Sequence, residues 1–218
     1  MSVKLIDHMG TDLSVVNAAR VSFAKENKEF QVVDDSRLIR YLAKHNHWSP
    51  FGHASLQFHV TAPVFVARQL VKHQVGLVWN EVSRRYVDSE PEFHFVEEWR
   101  GSPDNKKQGS SDKVITIDYD IQKEYITECT NTYRYLLDKG VCPEQARMVL
   151  PQSMMTEWYW SGTLMAFARV CNLRCKPDTQ LETRLIAEKI HWIAKEKFPV
   201  SWKALVDIKE TNNSFDEY

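Results

Sequence analysis

Helix-like and strand-like stretches alternate irregularly along this chain, which predicts an α/β or α+β domain with helices packed on a mixed sheet. Two observations carry that reading. "ASLQFHVTA" and "MTEWYWSGT" have the alternation of half-buried strands, and at least four longer stretches repeat apolar residues at helical spacing. No internal repeat is visible, and 218 residues suit one domain able to bury a full core.

The elements follow in order. "SVKLID" is a short strand. "TDLSVVNAARVSF" reads as a helix capped by Thr11 or Asp12, with Leu13, Val16, Ala19 and Val21 as its apolar stripe. "DDSRLIRYLAKHNH" is a second helix, capped by Asp35 or Ser36, with Leu38, Ile39, Leu42 and Ala43 facing inward. In "ASLQFHVTA", Leu56, Phe58 and Val60 share one face and Gln57, His59 and Thr61 the other. Pro63 then opens a helix through Val64, Phe65, Val66, Leu70 and Val71, because its missing N–H costs nothing in a first turn. Gly76 is expected to end that helix, and the polar residues after it to form a loop.

"RGSPDNKKQGSSDK", residues 100–113, is polar and lacks an apolar period. It reads as a flexible, solvated excursion within the domain. A long helix is expected from about Asp118 to Lys139, with Ile121, Tyr125, Cys129, Thr132 and Leu136 as its stripe and Gly140 as its stop. "CPEQARMVLP" is a short helix between Pro143 and Pro151. "MTEWYWSGT" is an aromatic strand, and "LMAFARVCNLR" and "TQLETRLIAEKIHWIAKEKF" are helices.

Composition narrows the function classes. A net charge of -1 argues against a dedicated nucleic-acid coat. No window approaches the ~20 apolar residues of a membrane span, and no secretory leader is apparent. Cys129, Cys142, Cys171 and Cys175 form no CxxC pair and read as buried reduced thiols in a cytoplasmic protein. No phosphate-binding glycine loop, dinucleotide fingerprint or serine-hydrolase elbow occurs.

Three constellations remain. "KHNHWSPFGH" holds His45, His47 and His53, but at spacings poor for a metal and without a carboxylate, so no metal is expected. "KHQVGLVWNEVSRRY", Lys72 to Tyr86, crowds long polar side chains behind an apolar run. Its bland reading is a salt-bridged loop or an oligomer contact; its functional reading is a clamp for a planar anion, with Arg84 and Arg85 gripping phosphate. Arg147 and Arg174 sit in apolar contexts and need a partner there, either a core carboxylate or a ligand.

These residues carry a resemblance. The chain resembles the flavin-dependent thymidylate synthases, whose signature reads RHRxxSxNExSxR. His73 matches its histidine, and "NEVSRR" (Asn80 to Arg85) matches its end. "NAARVSF", "KHNHWSPFGH", "APVFVARQ", "ARMVLP" and "NLR" are similar to family segments in the expected order, so the likeness runs from Asp12 to Pro199. The departures are Lys72 and Gln74 for the two signature arginines, one extra residue before Asn80, no first signature serine, and Met165 where an arginine is common.

The resemblance implies that family's fold and the reductive methylation of dUMP to dTMP. The carbon donor would be 5,10-methylenetetrahydrofolate, and FAD reduced by NADPH would supply the hydride. It implies a homotetramer with shared active sites, and neither nucleic acid nor membrane as partner. By resemblance Arg174 is the catalytic residue, polarising the pyrimidine, and no cysteine nucleophile is needed. Gln69, Lys72, Glu81, Ser83, Arg84, Arg85, Arg147 and Arg174 would hold dUMP. Ser22, Ser49, Lys72, His73, Gln74, Val75, Asn80, Glu81, Thr163 and Arg169 would hold FAD. His47 would line the flavin or folate pocket. The departures keep two alternatives open: a related flavin- and folate-using pyrimidine-nucleotide hydroxymethylase, and a non-catalytic nucleotide-binding homologue.

Overall fold

The computed structural model describes residues 1–104, 109–117 and 120–207. Its centre is a four-stranded sheet in the order β1-β2-β6-β3, formed by β1 (Ser2–Met9), β2 (Ser55–Pro63), β3 (Leu77–Glu81) and β6 (Met155–Thr163). The α+β class expected from the sequence is the class found. The pairings of this sheet are antiparallel throughout, so it is not the mixed sheet expected.

Strand alternation sets the layers. Leu56, Phe58, Val60 and Ala62 of β2, with Trp158 and Trp160 of β6, are buried on one face. Trp79 of β3 stacks on Trp158 at 4.3 Å. The other face carries the row His59–Tyr159–Asn80 across three strands, with His59 paired to Glu157 at 3.1 Å.

Helices cover the apolar face. α6 (Leu164–Arg174) has the bounds expected, and α7 (Leu181–Lys197) lies within its expected stretch. An unanticipated α8 (Pro199–Leu205) adds Trp202 to the core. Asp12, at the start of α1 (Asp12–Arg20), accepts from the Val200 and Ser201 amides at 2.9 and 2.8 Å. Asp12 thus caps α8, while Thr11 takes the N-cap position of its own helix.

α2 (Val32–Lys44) begins earlier than expected, with Gln31 as its N-cap. Neither Asp35 nor Ser36 caps it. Asp35 lies a turn inside the helix, fully buried, and accepts from the Gln31 amide, Asn27 and Arg20. α4 (Ile121–Asp138) stops before Gly140 as expected. Its buried face is Ile126, Cys129, Thr130 and Tyr133, so Ile121 and Tyr125 of the expected stripe are exposed. Asp118 lies outside the described residues.

The segment 100–113 is closed at its base. β4 (Trp99–Arg100) pairs with β5 (Val114–Ile115), and the Gly101 amide donates to Lys113 at 2.7 Å. Residues 105–108 of that segment lie outside the described residues. α5 (Pro143–Ala146) continues as a 3₁₀ turn over Arg147–Val149. The four cysteines form no disulfide, but Cys142 is exposed, so the expectation of burial fails there. Among the described residues no helix is long and apolar enough to cross a membrane.

Candidate active site

The helix after Pro63 is short. α3 (Val64–Leu70) buries Val66, Ala67 and Leu70 and ends six residues before Gly76. Its start is tied down by Val64 and Phe65 amides donating to Met154 and Gln152 at 2.9 and 3.1 Å. Successive side chains on a helix diverge by about 100°. Arg68 and Gln69 accordingly line two different cavities.

The first cavity, about 580 Å³, is lined by Arg68, Glu81, Arg84 and Arg147 among others. Glu81 ends β3 and is held by two donors, Thr156 Oγ1 at 2.8 Å and Trp79 Nε1 at 3.1 Å. Its carboxylate is therefore aimed rather than free to swing. Arg84 is turned onto its own loop, donating to the Ser89 and Glu90 carbonyls. That closure makes Arg84 a clasp of its own loop. Arg85 Nε donates to Ser83 Oγ at 3.3 Å, and its guanidinium lies 5.1 Å from the Tyr86 ring centre. Arg147 is exposed and donates only weakly to the Glu144 carbonyl at 3.3 Å, which leaves its charge available to an anion.

The second cavity, about 510 Å³, is lined by Gln69, Arg100, Arg174, Lys176, Asp178 and Gln180 among others. Arg174, at the end of α6, is half-buried, and burial lowers its pKa without a carboxylate to offset it. Among the described residues its partner is the His73 ring: Arg174 Nε donates to His73 Nε2 at 3.0 Å. Gln69 donates to the Gln180 side chain. Arg100 pairs with buried Glu182 at 2.7 Å, so one side of the cavity is already neutralised.

The polar stretch after α3 is not all loop. Lys72 to Gly76 form a turn, and Leu77–Glu81 continue as strand β3 along β6. The turn is backed by α6. Gly76 takes φ +77°, and a Cβ there would meet Thr163 Oγ1 and Ala166 Cβ at 3.2 Å. Thr163 caps α6, accepting from the Ala166 amide at 3.1 Å, and its own amide donates to the Gly76 carbonyl. Lys72, Gln74 and Val75 project outward on this turn, and Asn80 is exposed on β3. Among the described residues the amides of Gln74, Val75 and Gly76 have no backbone acceptor, so three consecutive donors on one turn are not committed to the backbone.

The remaining expected residues lie apart from both cavities. Ser22 is exposed in the turn Val21–Phe23, beside the largely exposed Val21 and Phe23. His47 is exposed, 6.0 Å from the Tyr41 ring, and Ser49 opens the turn Ser49–Gly52. Arg169 is exposed on α6. One chain therefore gathers Glu81, Arg84 and Arg147 at one cavity and Gln69 and Arg174 at another, and joins neither to Ser22, His47 or Ser49. Arg68 and Arg100 were not among the expected ligand contacts, and the spacing of Arg68, Gln69 and Lys72, which suggested a common direction, does not bring Arg68 and Gln69 to one cavity. Arg68 adjoins Gln69 on a helix whose spacing the sequence shows, and Arg100 sits in a stretch with no pattern to flag it.

Among the described residues no group of three or more His, Cys, Asp and Glu side chains is arranged to hold a metal.

Comparison with known proteins bears on this arrangement. A family model described as "Thymidylate synthase complementing protein" matches residues 4–200. The chain is 40% identical over 203 residues to a flavin-dependent thymidylate synthase of Thermus thermophilus, covering 93% of this chain and 74% of that one. It is 36% identical to one of Kosmotoga olearia, covering 97% and 92%. Among solved structures it is similar to the UMP/dUMP methylase PolB of Streptomyces cacaoi bound with 5-Br dUMP. That match has TM-score 0.81 at 31% identity and covers 93% of each chain.

Proposed function

The chain belongs to the flavin-dependent thymidylate synthase family, and from that premise we propose that it converts dUMP to dTMP by reductive methylation. The observation that carries the reading is the half-buried Arg174, which has no carboxylate partner among the described residues and opens on a cavity of about 510 Å³. A guanidinium so placed stabilises negative charge that develops on a bound pyrimidine, and costs no reorganisation when it does so. Gln69 supplies a directional amide beside it, and Glu81, fixed by Thr156 and Trp79, supplies an aimed acceptor.

Phosphate recognition is proposed for Arg147 and Arg85, with Ser83, Lys72 and Arg84 in support. Among the three arginines Arg147 is the least committed to protein partners. Arg68, in the cavity shared by Arg147 and Glu81, joins this group.

FAD is proposed as the cofactor, and it would supply the hydride that turns a transferred methylene into a methyl group. The turn Lys72 to Gly76 fits a flavin diphosphate, because three consecutive amides without backbone acceptors and the exposed Lys72 are suited to an anion. Gly76 must be glycine there, since its φ is positive and Thr163 packs against it. His73, Gln74, Val75, Asn80, Glu81, Thr163 and Arg169 would border the cofactor. Ser22, Ser49 and His47 would reach it from another subunit of a homotetramer, which is the assembly proposed. Methylenetetrahydrofolate is proposed as carbon donor and NADPH as reductant. The cytoplasm is proposed as location, in keeping with four cysteines that form no disulfide.

The test is product analysis by mass spectrometry after incubation with dUMP, FAD, NADPH and methylenetetrahydrofolate, for the wild type and Arg174→Ala. The expected result is dTMP from the wild type and at least about a hundredfold less from the variant, since an electrostatic donor of this kind contributes 10²–10³. A hydroxymethylated product, or nucleotide binding without any product, would replace this reading with one of its alternatives.

A further inference from the structure

We propose that His73 is a positioning residue for Arg174, holding the guanidinium through a neutral imidazole whose Nε2 lone pair accepts from Arg174 Nε. This rests on the thymidylate synthase reading and deepens it. The geometry is the 3.0 Å contact between Arg174 Nε and His73 Nε2. An arginine side chain has donors only. Nε2 must therefore be the acceptor, and the ring proton sits on Nδ1. A protonated His73 has no lone pair to offer and would place a second positive charge against the first.

The surroundings agree. His73 is held from below by its own amide, which donates to the Leu70 carbonyl at 3.0 Å. Burial, and then the Arg174 charge, lower its pKa below the ordinary 6.5. The other charged groups at the Arg174 cavity are Arg100, Lys176 and Asp178, and Arg100 is paired with Glu182. Lys72 precedes His73 on its own turn and is exposed. No carboxylate is bonded to the Arg174 guanidinium among the described residues, so the imidazole fixes its direction without cancelling its charge. A carboxylate in that place would orient Arg174 equally well and would quench the field needed at the pyrimidine. The choice of histidine thus follows from the chemistry: an acceptor is required, and it must be uncharged.

Two variants separate this from a structural role. In His73→Gln the amide oxygen can occupy the Nε2 position and accept, but it cannot titrate. In His73→Leu no acceptor remains. dUMP affinity would be measured by calorimetry, bound flavin by visible absorption, and turnover as a function of pH. The expected result is that His73→Gln exceeds His73→Leu in turnover by about tenfold or more, the scale of one hydrogen bond to a charged group. The wild type should also lose turnover as pH falls through a value below 6.5, where His73 gains its proton, and His73→Gln should lack that acid limb. Equal impairment of the two variants, with the acid limb retained in His73→Gln, would overturn the proposal. So would equal impairment explained wholly by lost flavin. If the wild type makes no dTMP at any pH, the thymidylate synthase reading fails instead. The dUMP affinities still test the contact, expected to be weaker in His73→Leu than in His73→Gln.

Discussion

At Asp35 a single buried carboxylate joins three segments of the chain. It accepts from the Gln31 amide at 2.7 Å, from Arg20 at 2.8 Å and, on both carboxylate oxygens, from Asn27 Nδ2 at 3.1 and 3.0 Å. Burial alone would push its pKa up. The Gln31, Arg20 and Asn27 donors outweigh burial and hold it below the ordinary 3.8. A depressed carboxylate contributes stability above its unfolded value and loses it as pH falls through the folded one. Asp35→Asn is therefore expected to lower stability by about 3 kcal/mol at neutral pH. The gap in denaturant midpoint between variant and wild type should narrow once pH drops below 3.8. A gap that is constant across pH would mean that Asp35 acts by shape and not by charge. The sequence placed Asp35 at a helix start but could not name its partners, because Arg20 and Asn27 belong to the preceding helix and turn.

At the scale of elements, the site depends on how closely β3 and its leading turn approach β6. A Cβ on Gly162 would fall 2.4 Å from the Gly76 carbonyl oxygen, a backbone atom that cannot step aside, and 2.5 Å from Leu77 Cδ2, a side-chain end that can. Gly140 differs: it has a positive φ, and a Cβ there meets nothing within 4 Å. Gly140→Ala should cost only the left-handed backbone strain, about 1 kcal/mol. Gly162→Ala should cost about 2 kcal/mol or more, and it should shift the turn bearing His73 and Gln74, so that nucleotide and flavin binding fall together. Thermal unfolding of both variants, with calorimetric titration of dUMP, checks this. Preserved binding in Gly162→Ala would show that the turn is anchored elsewhere. β3 itself was hidden from sequence reading. Only Leu77 and Trp79 mark its inner face, and its long-range partner β6 begins more than 70 residues later.

For the whole molecule, the division of candidate residues between two cavities is the dominant fact. Arg147 and Arg174 line cavities with no residue in common. If subunits complete one another's sites, inactive Arg147→Ala and Arg174→Ala chains, unfolded together and refolded, should recover part of the wild-type turnover. Each mixed pair would then hold one site with both arginines. No recovery, with the mixed oligomer shown to form, would mean that one chain supplies both residues to the same site.

Local pattern alone determined much of this protein. Period-two and helical spacings identified β1, β2, β6, α6 and most of α7, because one buried face leaves a regular trace along the chain. Arg147 and Arg174 were legible because charged side chains in apolar settings need a reason to be there, and Glu81 because it falls in a crowded polar stretch behind an apolar run. What tertiary structure decided was everything carried by distant pairing: β3 as a strand, the antiparallel sheet, Asp12 capping a helix 188 residues away, and His73 meeting Arg174 across 101 residues. Such contacts are set by which elements pack together, and no local spacing encodes that.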